Sequence, residues 1–434
     1  MMLNDIFRTL RYRNFRLFFA GQVISLTGTW MQAIAMGWLV YRLTNSPFLL
    51  GLVGFFSQIP TFVLSPFAGV IVDRFNRHRI LILTQCLSML QALVLAVLVI
   101  SGKITVWQIM VLGFFLGCIN SLDIPARQSF IVEMVEDKKN LGNAIALNSL
   151  MFNVARLIGP SMAGLIIALL GEGTCFLLNS VSFIAVIISL LAMKIKPRNV
   201  KKDTSRVLKG LAEGFSYAYG SLPIRYILAL LCVISLMGMS YVVLMPVFAR
   251  DVLMGGPSTF GFLMAAAGVG ALAATIYLAS RKTVLGLGSK IPIYSSIFSV
   301  SIILFSLSRN LWLSLVILAI SGFGLMSHMA SSNIILQTIV DDDKRGRVMS
   351  FYAMAFIGVA PFGSLVAGSL ANKIGATNTL IAGGIVCIFS SFLFAKKLPV
   401  LRMHIHPVYR KMGIIPEIAS GIAAVTRLSV PPED

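Results

Sequence analysis

The chain has 434 residues, of which 57% are hydrophobic and only 12% are charged. Charged residues make up about a quarter of a soluble globular protein, so this composition excludes a soluble fold. The net charge of +20 would suggest nucleic acid as the partner of a soluble protein. Because the basic residues here lie between long apolar runs, we predict a lipid bilayer as the partner, and no nucleic acid.

Apolar runs long enough to cross a membrane follow one another along the whole chain. They fall at 15–41, 48–72, 80–101, 105–125, 142–170, 173–193, 225–249, 258–280, 291–308, 311–338, 347–371 and 377–395. The first run follows four arginines and has no small-residue cleavage site after it, so it is predicted to be a membrane helix and not a signal peptide. The sequence thus predicts an all-α integral membrane protein with 12 transmembrane helices.

Lysine and arginine are distributed unequally between the alternating sides of these runs. One side, which includes both termini, collects thirty of them, and the other side has five, namely Arg42, Lys103, Arg250, Arg309 and Lys373. Since cytoplasmic loops carry the excess of basic residues, we predict that both termini are cytoplasmic. The predicted domains are an N-terminal six-helix bundle, a cytoplasmic linker with an amphipathic helix after Ser205, a C-terminal six-helix bundle and a cytoplasmic tail, at 1–193, 194–224, 225–396 and 397–434.

A short charged turn, GVIVDRFNRHR at 69–79, separates the second and third runs. Its charged or titratable residues are Asp73, Arg74, Arg77, His78 and Arg79. If the turn is helical, Asp73 and Arg77 lie one helical turn apart on the same face. Gly69 would let a neighbouring helix approach closely. An ordinary basic cytoplasmic loop would also account for these charges.

The fourth run contains Asp123, the one acid that falls within a predicted span, near its cytoplasmic end. Arg127 follows one helical turn later and is a possible local partner. Asp123 could also join Asp73 and Arg77 in a charge cluster that latches the helices. Uncharged polar residues on spans one, four, five and ten are predicted to line a cavity: Gln22, Gln32, Asn120, Asn148, Asn153 and Asn333.

The fifth run contains NVARLIGPSMAG at 153–164. Pro160 removes a backbone hydrogen bond and should bend the helix, and Gly159 and Gly164 permit close packing around the bend. Arg156 is the single base deep inside a run. Because a charge there is costly, we expect it to face protein or a water-filled cavity, either attracting an anionic substrate or packing against helix ends and backbone carbonyls.

The two halves of the chain repeat each other. A shift of 210 places Ile24–Gly28 on Ile234–Gly238, Pro47 on Pro257 and Gly51 on Gly261, and a shift of about 204 places Gly159 on Gly363 and Ala163-Gly164 on Ala367-Gly368. Such a pattern predicts two pseudo-symmetric six-helix bundles. A shift of 205 places Asp123 on His328, the one histidine within a span. His328 could carry a proton or could simply bond a neighbour, so these two residues are the proton-coupling candidates.

Catalytic and metal-binding patterns are absent from the sequence. The chain has four histidines and no HExxH or GxSxG motif, and its five cysteines lie in apolar runs without motif spacing. We therefore predict no enzyme activity, no metal site and no cofactor. The nucleotide-binding loop GxxxxGK[ST] is also absent, so transport would have to draw on a gradient and not on ATP.

Several phrases resemble those of the major facilitator superfamily: NFRLFFAGQVISLTGTWMQ at 14–32, the 69–79 turn, PARQSF at 125–130 and ALNSLMFNVARLIGP at 146–160. In the turn, Gly69, Asp73, Arg74, Arg77 and Arg79 match the family's signature loop, and Asn76 replaces a glycine. Within the superfamily, the chain resembles the branch that contains enterobactin-type siderophore exporters and related secretion effectors. It implies that the signature-loop arginine pairs with an acid on the fourth helix, and that the Gly-Pro element of the fifth helix belongs to an exporter.

We therefore predict a proton-coupled exporter of a small organic molecule, a siderophore or a drug-like compound, acting as a monomer in the bacterial inner membrane. Its partners are the substrate, protons and the bilayer. Uptake by a symporter of the same fold is the first alternative, and a membrane sensor that transports nothing is the second.

Overall fold

The computed structural model of the chain describes residues 8–135, 140–193, 216–281 and 283–411. Within this part, twelve helices are long and apolar enough to span a membrane, which confirms the predicted fold class. We label them α1 to α12: Arg13–Thr44, Pro47–Arg74, Arg77–Ile100, Val106–Met134, Leu141–Leu170, Glu172–Leu191, Leu222–Val252, Pro257–Ala279, Leu287–Leu307, Leu311–Ile339, Lys344–Ile374 and Ala376–Lys411.

Helix ends in the first half lie where the sequence supplies capping groups. Asn45 ends α1 in the left-handed conformation, and Ser46 then accepts a hydrogen bond from the Leu49 amide at the start of α2. Pro47 follows at the first helical position, where its missing N–H costs nothing. Thr105 and Gln108 form a capping box at the start of α4. Tight turns at these points make consecutive helices antiparallel.

The start of α1 and the ends of α2, α4, α6, α8, α10 and α12 lie at one end of the bundle, which we call the terminal end. The other end is the opposite end. In the first half α1 packs on α6 and α5, α3 on α6, and α2 on α4. In the second half, the packing of α10 on α8 corresponds to that of α4 on α2, and the packing of α9 on α12 corresponds to that of α3 on α6. Helix α10 also packs on α9. The turns α5–α6 and α11–α12 both use a glycine with positive φ, Gly171 and Gly375, which are 204 residues apart.

The two halves meet through α2 against α11 and α5 against α8. Glycines form both crossings: a β-carbon added at Gly51 would lie 2.9 Å from the Cα of Gly368, and one added at Gly164 would lie 3.1 Å from the Cα of Gly261. We call these two contacts the glycine crossings. Their four members are among the glycines that the sequence repeat pairs between the halves. Both crossings lie toward the opposite end, because α2 and α8 begin there.

Two helices extend further than the apolar runs predict. The fourth run was expected to end at 125, but α4 continues to Met134, and α12 continues past 395 to Lys411. The added part of α12 packs against the rest of the protein on one side, since Leu401 and Tyr409 are buried. The amphipathic helix expected after Ser205 and most of the linker at 194–224 lie outside the described residues.

Candidate functional site

A cavity of about 410 Å³ lies between the two halves. Its walls differ in chemistry. The first half contributes amides, hydroxyls and one acid–base pair beside apolar side chains, whereas every lining residue of the second half is apolar: Val242, Val243, Pro246, Phe260 and Met264. Of the predicted cavity residues, Gln22, Gln32 and Asn120 line this space, as do Asp123 and Arg127.

Asp123 is the centre of a polar cluster in the cavity wall. Its Oδ1 accepts hydrogen bonds from Thr84 Oγ1 and Gln85 Nε2, each at 2.8 Å, and its Oδ2 lies 3.5 Å from Arg127 Nη2. Arg127 also donates to Gln22 Oε1 at 3.4 Å. These are the donors that an ionised carboxylate gathers. The charges of Asp123 and Arg127 therefore offset each other within the wall.

Gln32 belongs to a chain of buried amides that links four helices. Its Nε2 donates to Gln91 Oε1 at 3.0 Å, and its Oε1 accepts from Asn179 Nδ2 at 2.7 Å. Gln91 Nε2 continues the chain to the Leu112 carbonyl on α4. Because buried amides need such partners, the chain fixes the first-half side of the cavity. Neither Gln91 nor Asn179 was singled out from the sequence.

The other predicted cavity residues are not among those that line this space. Asn153 is buried and donates to the Ser149 carbonyl one turn earlier, at 2.9 Å. Asn333 accepts from Gln337 Nε2 at 2.6 Å on α10. Asn148 is half-buried on α5. A polar residue on a span can thus satisfy itself along its own helix, which sequence alone does not distinguish from a cavity position.

The arginine of the charged turn after α2 lies beside an acid on the fourth helix, but this acid is Glu133 and not Asp123. Arg77 Nη1 lies 2.9 Å from Glu133 Oε1 on α4, and both side chains are mostly buried. The structure does not bring Arg77 to Asp123, which lies ten residues, or about 15 Å, before Glu133 in α4. Glu133 was missed because α4 was predicted to end before it. The side chain of Asp73 lies outside the described residues, so its part in a latch stays a prediction.

The remaining residues of the turn have simple roles. Arg74 and Arg79 are exposed. Asn76 adopts an extended conformation and caps α3, its side chain accepting from the Arg79 amide at 3.2 Å. The expected close helix approach at Gly69 is not found among the described residues, since a β-carbon added there would meet none of their atoms within 4 Å.

Close packing is found at the predicted element of α5. A β-carbon added at Gly159 would lie 2.9 Å from the Thr27 carbonyl oxygen on α1, and Gly164 forms one of the glycine crossings. Helix α5 remains continuous through Pro160. Because proline has no N–H, the carbonyl of Arg156, four residues earlier, loses its helical donor.

Arg156 lies in the middle of α5 and is half-buried. Its guanidinium carbon is 5.9 Å from the centroid of the Trp30 ring, and Trp30 lines the cavity. Tyr241 of α7 has its hydroxyl next to this guanidinium, although the two are not at hydrogen-bonding geometry. Arg156 therefore touches both halves, and it has no acid as an ion-pair partner among the described residues.

His328 is fully buried in α10. The backbone of Ile291 lies near the imidazole ring. Neither ring nitrogen, however, has a hydrogen-bond partner in the described part of the chain. The hydroxyls of Ser327, Ser331 and Ser332 around it are likewise buried without partners there. His328 is not among the residues that line the cavity. The two proton-coupling candidates therefore have different surroundings, since Asp123 faces the cavity and His328 is enclosed.

Polar contacts join the halves at the opposite end. The Tyr41 hydroxyl of α1 donates to Asp251 of α7, and Arg250 Nη1 donates to Asn45 Oδ1 at 2.6 Å. We call these two contacts the end clasp. Beyond the cavity, α2 and α11 also touch near their middle, where the Phe62 and Phe362 rings lie 5.8 Å apart. The contacts between halves described here thus run from the opposite end to the middle of the bundle.

Known proteins that resemble this chain are transporters. It is 26% identical over 391 residues to the staphyloferrin A transporter of Staphylococcus aureus (strain NCTC 8325 / PS 47), a match covering 89% of this chain and 98% of the relative. It is 24% identical over 365 residues to the multidrug efflux pump Tap of Mycolicibacterium fortuitum, covering 82% of this chain and 88% of the pump.

Solved structures agree in fold. A bacterial homolog of the human lysosomal transporter Spinster, in an inward-facing and unoccupied conformation, matches with a TM-score of 0.70 over 90% of this chain and 98% of that chain, at 12% identity. A bacterial homologue of the iron transporter ferroportin matches with a TM-score of 0.66 at 16% identity. The profile of the family described as "Transmembrane secretion effector" matches residues 5–410. The chain therefore belongs to this family of major facilitator transporters.

Proposed function

We propose that this protein is a secondary active transporter that exports a small organic molecule by alternating access and exchanges it for protons. The observation that carries the proposal is the cavity between the halves, whose far side is closed by the glycine crossings and the end clasp. A substrate held there would contact both halves, so its binding can bias how the halves rock against each other.

The orientation rests on charge. Thirty basic residues lie on the side of the terminal end and five on the other. In a bacterial inner membrane the terminal end would then face the cytoplasm. With that orientation, contacts concentrated at the opposite end support a state that is closed to the outside and receives substrate from the cytoplasm. The residues that line the cavity all belong to one chain, which supports function as a monomer, and no enzyme activity is proposed.

Export and the substrate class of siderophores or drug-like compounds are supported by the relatives, one named as the staphyloferrin A transporter and one as a multidrug efflux pump. Proton coupling is supported by the absence of a nucleotide-binding loop and by Asp123, a titratable group facing the cavity. Uptake by the same fold and sensing without transport remain the alternatives for the test to separate.

A deletion experiment distinguishes these three functions without knowing the substrate. The gene is deleted from its own bacterium, and medium and cell extracts are compared by untargeted mass spectrometry with those of the complemented strain. An exporter predicts a compound that is depleted from the medium and enriched in the cells of the deletion strain. The reverse pattern supports uptake. If neither fraction differs between the two strains, although the complemented strain makes the protein at its normal level, transport is contradicted and the sensor remains.

A further inference from the structure

The middle of α5 carries a positive charge that no acid in the described part of the chain neutralises. A charged side chain at this depth costs about 2.5–3.5 kcal/mol on insertion scales. Intramembrane charges of this kind are normally paired or serve a ligand. The other cation at the cavity, Arg127, is already paired with Asp123. Arg156 is therefore the cation left for an anionic group.

Arg156 is not itself among the residues that line the cavity, but its guanidinium reaches the cavity wall through Trp30. Trp30, which lines the cavity, lies 5.9 Å from the guanidinium carbon, and an aromatic face holds a guanidinium in a defined plane. The Phe152 ring packs edge-on against Trp30 with centroids 5.7 Å apart, which fixes the indole. The planar fork of N–H donors is thus pre-oriented, and it complements a planar carboxylate, which can accept two of its hydrogen bonds at once.

A second polar group points to a ligand at the same place. The Tyr241 hydroxyl is fully buried and has no hydrogen-bond partner in the described chain, although it lies beside Arg156. A buried hydroxyl without a partner is costly. A carboxylate on Arg156 could accept from it, which would supply that partner from the other half of the molecule. The next two residues along α7, Val242 and Val243, line the apolar wall of the cavity.

We infer that Arg156 and Tyr241 form a carboxylate-binding site, and that the transported compound is an organic acid with an apolar body. The carboxylate lies between the two halves, held by the guanidinium of Arg156 on α5 and the hydroxyl of Tyr241 on α7. Its apolar part lies against Val242, Val243 and Phe260. This inference rests on the proposed function, because it assigns the substrate class of the same cavity.

Binding to the purified full-length protein tests the site without any transport. Equilibrium dialysis with tritium-labelled 1-naphthaleneacetate measures affinity, and 1-naphthaleneacetamide is the competitor of the same shape without the charge. We expect the unlabelled acid to compete about tenfold or more better than the amide, since hydrogen bonds between charged groups are the stronger ones. The Arg156→Gln variant should lose both the affinity and the preference for the acid.

Further variants separate this site from a general effect of charge or folding. Arg156→Lys should bind the acid more weakly than the wild type but still prefer it to the amide, because it keeps the charge and loses the fork. Tyr241→Phe should weaken binding of the acid several-fold and leave binding of the amide unchanged. Arg309→Gln, which removes a cation bonded to the Ser306 and Ser308 carbonyls at the opposite end, should bind as the wild type does.

Three results overturn the inference: no binding of the acid by the wild type, equal competition by acid and amide, or an acid preference that survives in Arg156→Gln. The last would indicate another cation, such as Arg127. Failure of the deletion experiment together with a normal acid preference would contradict export and leave the binding site standing.

Discussion

At the scale of single residues, α4 carries two acids with separate partners. Asp123 faces the cavity and pairs with Arg127, whereas Glu133 lies near the terminal end and pairs with Arg77. A single latch combining all of these charges is therefore not what the described side chains form. The pair of Arg77 and Glu133 ties the start of α3 to the end of α4, and the cluster around Asp123 belongs to the substrate cavity.

We predict that Glu133→Gln impairs export about as much as Arg77→Ala, because each removes one partner of the same mostly buried pair. Both variants should be inserted at normal levels while the compound in the medium falls several-fold. Arg79→Ala removes an exposed base from the same turn and serves as the control, with export close to the wild type. If both variants are expressed and export at wild-type levels, this ion pair is not needed for transport, and its charges act only in setting the membrane topology.

The two proton-coupling candidates should behave differently. Asp123→Asn removes a titratable group that faces the cavity, so we expect a large loss of export driven by a pH gradient in proteoliposomes. His328→Gln alters an enclosed ring, and we expect a smaller effect. The measurement uses the compound identified by the deletion experiment and a pH-sensitive dye inside the vesicles. Intact gradient-driven transport in the double variant Asp123→Asn, His328→Gln would show that neither carries the proton.

Sequence alone predicted which polar residues lie on spans but not their partners. Gln22, Gln32 and Asn120 line the cavity as expected, while Asn153 and Asn333 bond within their own helices. The difference depends on helix rotation. The rotation of a membrane helix is hard to read from its sequence, because its lipid-facing and buried sides are both apolar. The sequence therefore does not show which side of the helix faces the cavity.

At the scale of helices, the glycine crossings allow backbone contact between the halves. We predict that Gly164→Val or Gly368→Val lowers the melting temperature of the purified protein by a few degrees. A side chain there would press on the backbone of the facing helix, and overpacking of this kind costs roughly 1–3 kcal/mol. Gly142→Ala is the control, since a β-carbon at Gly142 meets no atom of the described part of the chain within 4 Å. Equal melting temperatures for all three variants would show that the facing helices can move apart at the crossings without a loss of stability.

Helix number and most helix ends were predictable, because apolar runs are bounded by caps and charges. The ends that were missed share one cause. Helix α4 continues through QSFIVEM and α12 through charged and polar residues to Lys411, where hydropathy falls but nothing interrupts the backbone. A hydrophobic run measures how much of a helix is buried in lipid or protein, and the helix itself can continue beyond the run.

At the scale of the whole molecule, the Tyr41–Asp251 contact of the end clasp joins equivalent positions of the two halves. Tyr41 and Asp251 are 210 residues apart, which equals the shift that relates α1 to α7. Two equivalent residues contact each other when they lie next to the axis that relates them. The clasp therefore closes the opposite end at the pseudo-symmetry axis, directly beyond the cavity.

A covalent cross-link across the clasp should stop transport. In a background without the native cysteines, a bis-methanethiosulfonate cross-linker that spans the length of an arginine side chain joins Asn45→Cys to Arg250→Cys, so we expect it to abolish export and reduction to restore it. Arg42→Cys with Glu172→Cys, treated in the same way, is the matched control, because these residues pair within the first half at 2.6 Å and at the same end. Continued export by the cross-linked Asn45–Arg250 variant would mean that the clasp does not open during transport.

The glycine crossings also carry a record of how the chain arose. Gly51 of the first half meets Gly368 of the second, and Gly164 of the first meets Gly261 of the second. Each half thus offers the same two surfaces, and each surface accepts the other, as in a two-fold homodimer. A single six-helix polypeptide with both surfaces would have been able to pair with a second copy of itself before gene duplication and fusion joined the two.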